Sequence, residues 1–208
     1  MDATVFIVDD DASIRDALSL LLSLRGLRAQ LFASAEDFLG VYQPEWRGCL
    51  LTDLRMPGLS GIELIDALKD RHVSLPVILL TAHGDVATTR TALRGGAFDF
   101  LEKPIDEDIL LEVLRNAIDE DARNQSRMLQ LNEQRARLDR LTPRERDVLE
   151  RLGRGLQNRE IAAELNISPR TVEVYKARMM EKLECSNLAD VVRVSLLLGL
   201  PGDSGTGP

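Results

Sequence analysis

The chain has 208 residues, enough for one large or two ordinary domains, and its 44% hydrophobic and 29% charged content is ordinary for a soluble globular protein. No apolar run approaches the roughly 18 residues of a membrane span, and the first residues enter a strand pattern without a leader-like stretch, so a cytoplasmic protein without membrane attachment is expected. The net charge of −8 is uneven: residues 1–121 hold 11 basic and 22 acidic side chains, and residues 140–208 hold 11 and 10. The first half should not approach nucleic acid by itself, whereas the second can if its bases cluster.

Thr4–Val8 is a continuous apolar run, followed by Ile14, Ala17, Leu18, Leu21 and Leu22 at helical spacing. Gly26 ends that helix, and a weaker strand follows near Leu27–Phe32. A helix is predicted over Ala35–Tyr42, a strand over Cys49–Thr52, a helix over Ile62–Lys69 and a strand over Val77–Leu80. Val86–Leu93 reads as a helix ended by Gly95-Gly96, Phe98–Leu101 as a fifth strand, and a further helix begins at Ile109. Such alternation predicts a doubly wound α/β domain with a parallel five-stranded sheet and helices on both faces, over residues 1–120. Residues 121–139 lack Gly and Pro and read as a helical linker, too irregular at Met128, Leu131, Leu138 and Leu141 for a coiled coil.

The remainder is all helix. Thr142-Pro143-Arg144-Glu145 is a capping box with proline at the first helical position. Helices are predicted to about Arg154, over Asn158–Leu165, over Pro169–Leu183 and over Leu188–Leu198, forming a domain over residues 140–200. The Gly/Pro/Ser-rich tail, residues 201–208, is expected to be disordered. Cys49 and Cys185 lack CxxC or metal-ligand spacing and read as reduced, buried thiols.

The strand ends of the first half carry the chemistry. Asp9-Asp10 follow the first run, Asp53 the third, Thr81 the fourth and Lys103-Pro104 the fifth, all at the end of an α/β sheet where ligands bind. Two carboxylates on one strand end and a third on another suit Mg²⁺ or Mn²⁺, hard ions that want oxygen ligands and keep several waters. Asp10 and Asp53 are assigned as direct ligands, Asp9 through water, with the backbone carbonyl of Arg55 as another. Lys103 is expected to add positive charge on the opposite side. The Thr81 hydroxyl can donate to a phosphoryl oxygen, and the small Ala82 beside it leaves the approach to Asp53 open. Singly, each has a plainer reading: Asp11, and Asp9 or Asp10 alone, as helix caps, Thr81 as a turn residue, Lys103 as a solvated lysine.

Val8-Asp9-Asp10-Asp11, Asp53-Leu54-Arg55-Met56-Pro57-Gly58-Leu59-Ser60-Gly61, Thr81-Ala82 and Lys103-Pro104 together resemble the receiver domain of two-component response regulators, particularly the FixJ subgroup. The resemblance implies that Asp53 takes a phosphoryl group from a phosphohistidine on a sensor histidine kinase, with Mg²⁺, and that the Lys103–Pro104 peptide is cis. It supports a switch in which Thr81 moves toward the phosphoryl group and Phe100 fills the vacated space, the face over Val86–Phe100 and Ile109–Ile118 then becoming a dimer surface. Phe100 as plain core and His83 as an exposed loop residue are the bland alternatives. A competing motif exists: Asp9-Asp10-Asp11-Ala12-Ser13 reads as D-x-D-x-S, similar to haloacid-dehalogenase-like phosphatases, with Asp9 as nucleophile and turnover as an enzyme. That reading leaves Asp53 and the C-terminal half unexplained.

Asn158–Leu165, a turn at Asn166-Ile167-Ser168 and Pro169–Leu183 form a helix-turn-helix pattern, with Ile161, Ala162, Leu165, Ile167, Val172, Met179 and Leu183 inward. Ser168 caps the second helix, whose first turns would enter the major groove. The candidate DNA contacts are Arg170, Thr171, Glu173, Val174, Lys176, Ala177, Arg178 and Lys182. Glu173 can accept from a cytosine amino group and Val174 can touch a thymine methyl, while Lys176 and Arg178 hold phosphates; Tyr175 is either core edge or backbone contact. Leu141–Leu149, Asn158–Ala162 and Ile167–Val174 resemble the LuxR-type helix-turn-helix, which implies dimeric binding to promoter DNA. The whole reads as a non-enzymatic response regulator that dimerises when phosphorylated and acts with RNA polymerase, no ATPase module being present. The alternative is a regulator that binds DNA independently of phosphorylation.

Overall fold

The computed structural model describes residues 3–81 and 95–197. Five strands, β1 (Thr4–Val8), β2 (Arg28–Phe32), β3 (Gly48–Asp53), β4 (Val77–Thr81) and β5 (Asp99–Glu102), form one sheet in the order β2-β1-β3-β4-β5. Every pairing is parallel. Helices α1 (Ala12–Leu24), α2 (Ala35–Val41) and α3 (Gly61–Asp70) cross between strands, and α4 (Glu107–Asp139) follows β5. The helix expected over Val86–Leu93, Ala82, His83 and the tail Gly199–Pro208 lie outside the described residues.

Burial on both faces explains why the central strands read as unbroken apolar runs rather than alternating ones. Successive side chains of a strand point to opposite faces. Phe6, Val8, Leu50 and Leu79 therefore join Phe38 and Leu64 in one core layer, while Val5, Ile7, Leu51, Ile78 and Leu80 join Leu18, Leu22 and Leu114 in the other. The first layer is built on aromatic contacts: Phe6 stacks on Trp46 at 4.6 Å between centroids, and Phe38 meets Phe6 and Phe32 edge-on.

Local caps start the helices where the sequence places them. Asp11 accepts from the Ser13 amide at 2.8 Å, and Ser60 with Glu63 forms a reciprocal capping box before α3. Contacts divide the chain into units Met1–Gln125 and Ser126–Pro208. The first unit reaches that far along α4 because Leu110, Leu111, Leu114, Ala117 and Asp121 are all buried.

The second unit contains α5 (Pro143–Gly153), α6 (Asn158–Leu165), α7 (Pro169–Leu183) and α8 (Leu188–Leu197). Leu141, Val148, Leu149, Ile161, Val172, Met179 and Leu183 form its core, with Leu165 and Ile167 packed at the margin. The turn from α6 to α7 closes on Asn166 at φ 53°, a left-handed position that Asn adopts more readily than most residues. Thr142 and Glu145 make the expected capping box, with Pro143 in the first turn.

Candidate functional site: an acidic strand-end cluster and a helix-turn-helix

The parallel register brings the C-terminal ends of β1, β3, β4 and β5 together. Val8 stands opposite Thr52, Asp53 opposite Leu80, and Thr81 opposite Glu102. Lys103 is tied to this end by its backbone, whose N–H donates to the Thr81 carbonyl at 2.8 Å, and the Lys103–Pro104 peptide is cis. The Lys103 ammonium donates to Asp9 Oδ2 at 3.1 Å and also to Asp53 Oδ1. It thus stands between the two carboxylates rather than across the pocket from them. Burial pulls the Lys103 amine down, but the hydrogen bonds to Asp53 and Asp9 and their charges outweigh it, holding its pKa above the ordinary lysine value.

The two carboxylates differ in access. The Asp9 side chain is 1% exposed, while that of Asp53 is 13% exposed. Asp9 also accepts from the Asp11 amide at 2.9 Å, and Arg15 fastens the Asp9 carbonyl at 2.6 Å. Asp53 Oδ2 accepts from the Arg55 amide at 2.8 Å, which turns the chain out of the strand. Glu36 holds the loop beyond by accepting from the Leu59 amide at 2.9 Å. Asp10 is exposed, Thr81 is buried, and Phe100 on the edge strand is 38% exposed.

Among the described residues, no group of three or more acidic, His or Cys side chains is arranged as a ready-made metal cluster. The donor set is still that of a hard cation: carboxylate oxygens from two adjacent strand ends, each with a further lone pair beyond the bonds just given. Asp10 would have to turn toward Asp53 to complete it.

In the second unit, Ser168 caps α7 by accepting from the Thr171 amide at 3.1 Å, and the two hydroxyls lie 2.8 Å apart. Arg170, Glu173, Val174, Ala177 and Arg178 are exposed and Lys176 is half-buried. Val174 is 44% exposed, a large apolar side chain left open on a helix whose Val172, Met179 and Leu183 turn inward. Tyr175 packs at the edge of the core.

Lys182, one of the candidate DNA contacts, is engaged within the unit. Its ammonium donates to Glu145 at 2.6 Å, and Glu145 is 2% exposed. Glu145 also accepts from the Thr142 amide at 2.8 Å. Burial pushes the Glu145 carboxyl up, yet the bonds from Lys182 and Thr142 outweigh it and hold the pKa below the usual glutamate value. Lys182 thus fastens the end of α7 to the start of α5. A pair 37 positions apart leaves no signal in local spacing.

A parallel sheet with a lysine-bridged acid pair at its strand ends, followed on one chain by a capped helix-turn-helix, defines a response regulator. The chain belongs to that family: residues 5–115 match the response regulator receiver domain, and residues 139–195 match the luxR family of bacterial regulatory proteins. It is 42% identical over 203 residues to the transcriptional regulatory protein FixJ of Azorhizobium caulinodans, covering 97% of this chain and 96% of the relative. The response regulator StyR is 40% identical, with a TM-score of 0.80 over 94% of this chain and 99% of that one. Full-length FixJ from B. japonicum is 39% identical, with a TM-score of 0.59 over 96% and 98%. No described helix is long and apolar enough to cross a membrane.

Proposed function

We propose that Asp53 is the phospho-acceptor of a phosphorylation-controlled transcriptional regulator. The observation that carries this reading is the shared lysine: one ammonium bridges a buried Asp9 and a more accessible Asp53. A nucleophile must be reached by its donor, and of the two carboxylates Asp53 is the reachable one. An Asp53 oxygen attacks phosphorus as the bond to the kinase histidine nitrogen breaks, leaving an acyl phosphate. Lys103 then neutralises a phosphoryl oxygen and the Thr81 hydroxyl donates to another, the small Ala82 leaving the approach to Asp53 open.

Asp10, Asp53 and the Arg55 carbonyl would hold Mg²⁺ or Mn²⁺, with Asp9 acting through water. When bound, the ion offsets the repulsion between carboxylate and phosphoryl donor. The Asp9-nucleophile phosphatase reading is disfavoured by the burial of Asp9, whose side chain is 1% exposed against 13% for Asp53.

The proposed organisation is a receiver over residues 1–120, a helical linker over 121–139 and a DNA-binding domain over 140–200. Phosphorylation favours a homodimer through Thr81 and Phe100. The dimer binds promoter DNA through Arg170, Thr171, Glu173, Val174, Lys176, Ala177, Arg178 and Lys182 in the cytoplasm, and acts with RNA polymerase. The family resemblance of both halves supports this scheme.

Intact-mass analysis after acetyl phosphate and Mg²⁺ tests the acceptor. A single phosphoryl adduct is expected in wild type and none in Asp53→Asn. An adduct that persists in Asp53→Asn and is lost in Asp9→Asn would transfer the role to Asp9.

A further inference from the structure

β3 ends on Asp53 and begins at Gly48, and a second carboxylate stands at that far end. The Gly48 amide donates to Asp121 Oδ2 at 2.9 Å in a buried setting, bridging 73 positions of sequence. Asp121 lies on α4 and is 3% exposed, and among the described residues its Oδ1 meets no donor. The same helix face carries Leu110, Leu114 and Ala117, so an apolar residue would continue the packing without desolvating a carboxylate. Burial, together with the Asp121 charge, pushes the neighbouring Cys49 thiol up to about 12.

The partner strand is rigidly placed. Gly48 has φ 127°, and a Cβ there would run into the Thr4 backbone. β3 is paired on both sides, to β1 and β4. Meanwhile α4 continues without interruption past Gln125, where the first unit ends, to Asp139. Apolar packing is non-directional and leaves a helix free to turn or slide by small amounts. A hydrogen bond to a buried carboxylate is directional, and losing it strands a buried polar group.

We propose that Asp121 is a positioning residue for signal transfer: its bond to Gly48 fixes the height and rotation of α4 against the strand that carries Asp53, so that the state of Asp53 is transmitted along α4 to the DNA-binding domain. The proposal rests on the reading of Asp53 as phospho-acceptor. In it, Asp121 has no part in accepting phosphate and is required for the consequence.

The full-length protein is compared as wild type, Asp121→Leu and Asp121→Asn. Each is treated with acetyl phosphate and Mg²⁺, checked by intact mass, and titrated with a duplex selected from a random pool by the wild-type protein. Wild type should tighten on phosphorylation within the usual range of such coupling, about 5–150-fold. Asp121→Leu should form the same adduct at the same rate, yet its ratio of affinities should fall to within about twofold of one, a loss of coupling. Asp121→Asn should keep the wild-type ratio, because its amide oxygen can accept from Gly48. A merely stabilising role would lower the melting temperature of Asp121→Leu and leave that ratio intact. Should Asp121→Leu not fold, Asp121→Ala is read the same way. A wild-type ratio in a phosphorylated Leu or Ala variant, or its loss in a folded Asn variant, overturns the proposal. Absence of a wild-type adduct contradicts the underlying reading instead, and the two failures are told apart by the mass measurement.

Discussion

Lys103 meets Asp9 and Asp53 with one ammonium, so the arrival of a phosphoryl group must redistribute that charge. Thr81 is the neighbour positioned to respond, buried on β4 beside the Lys103 backbone. Thr81→Ala should still acquire the phosphoryl adduct by intact mass but lose the phosphorylation-dependent gain in DNA affinity. A full gain would remove Thr81 from the relay. In the second unit, the depressed pKa of Glu145 makes an acid-side prediction. A group held below its unfolded pKa contributes stability that is fully present above the unfolded value and lost as pH falls through the folded one. Glu145→Gln should therefore cost about 1–3 kcal/mol at neutral pH, the range for weakening a buried, charge-assisted bond, and the difference from wild type should shrink below the ordinary glutamate range. Urea titrations at several pH values check it; a pH-independent difference would contradict the pairing with Lys182. At this scale the sequence was uneven. The acids and Lys103 were legible because each ends an apolar run. Asp121 was not, since one aspartate in the polar stretch Asp119-Glu120-Asp121 looks solvated until the helix is set against the sheet. The pairing of Lys182 with Glu145 is not legible in the sequence, because its partner lies on another helix.

Elements were more legible than residues. β1, β3 and β4 are buried on both faces, and unbroken apolar runs are what such strands require. β2 and β5 lie at the sheet edges and are only partly buried, and β2 reads as the weaker strand. Capping residues marked the starts of α1, α5 and α7 because Asp, Ser and Thr satisfy amides that the helix cannot. The extent of α4 could be read only as an absence of breakers, while the point where its burial ends depends on tertiary contacts. The candidate DNA-binding helix α7 makes a separable prediction. If Lys176 holds a phosphate, Lys176→Ala should weaken binding on every sequence and flatten the salt dependence by about one unit of slope. Titrations at several salt concentrations check this, and a loss confined to one base position would reassign Lys176 to base readout.

For the whole molecule, charge sets the terms. The acidic first half repels DNA, and phosphorylation makes it more negative, so tighter binding cannot arise from attraction between that half and the phosphates. The second half is close to neutral, 11 basic against 10 acidic side chains over residues 140–208, so one copy has little electrostatic hold. In the proposed scheme two copies on paired half-sites would supply what one lacks, with phosphorylation favouring that pairing. The most direct measurement is the affinity of the full-length protein for a selected duplex, with and without acetyl phosphate and Mg²⁺, for wild type and Asp53→Asn. Wild type should tighten several-fold, accompanied by a dimer in sedimentation, and Asp53→Asn should not change. Equal affinities in all four conditions, with the adduct present on wild type, would contradict it and leave a regulator that binds DNA regardless of phosphorylation.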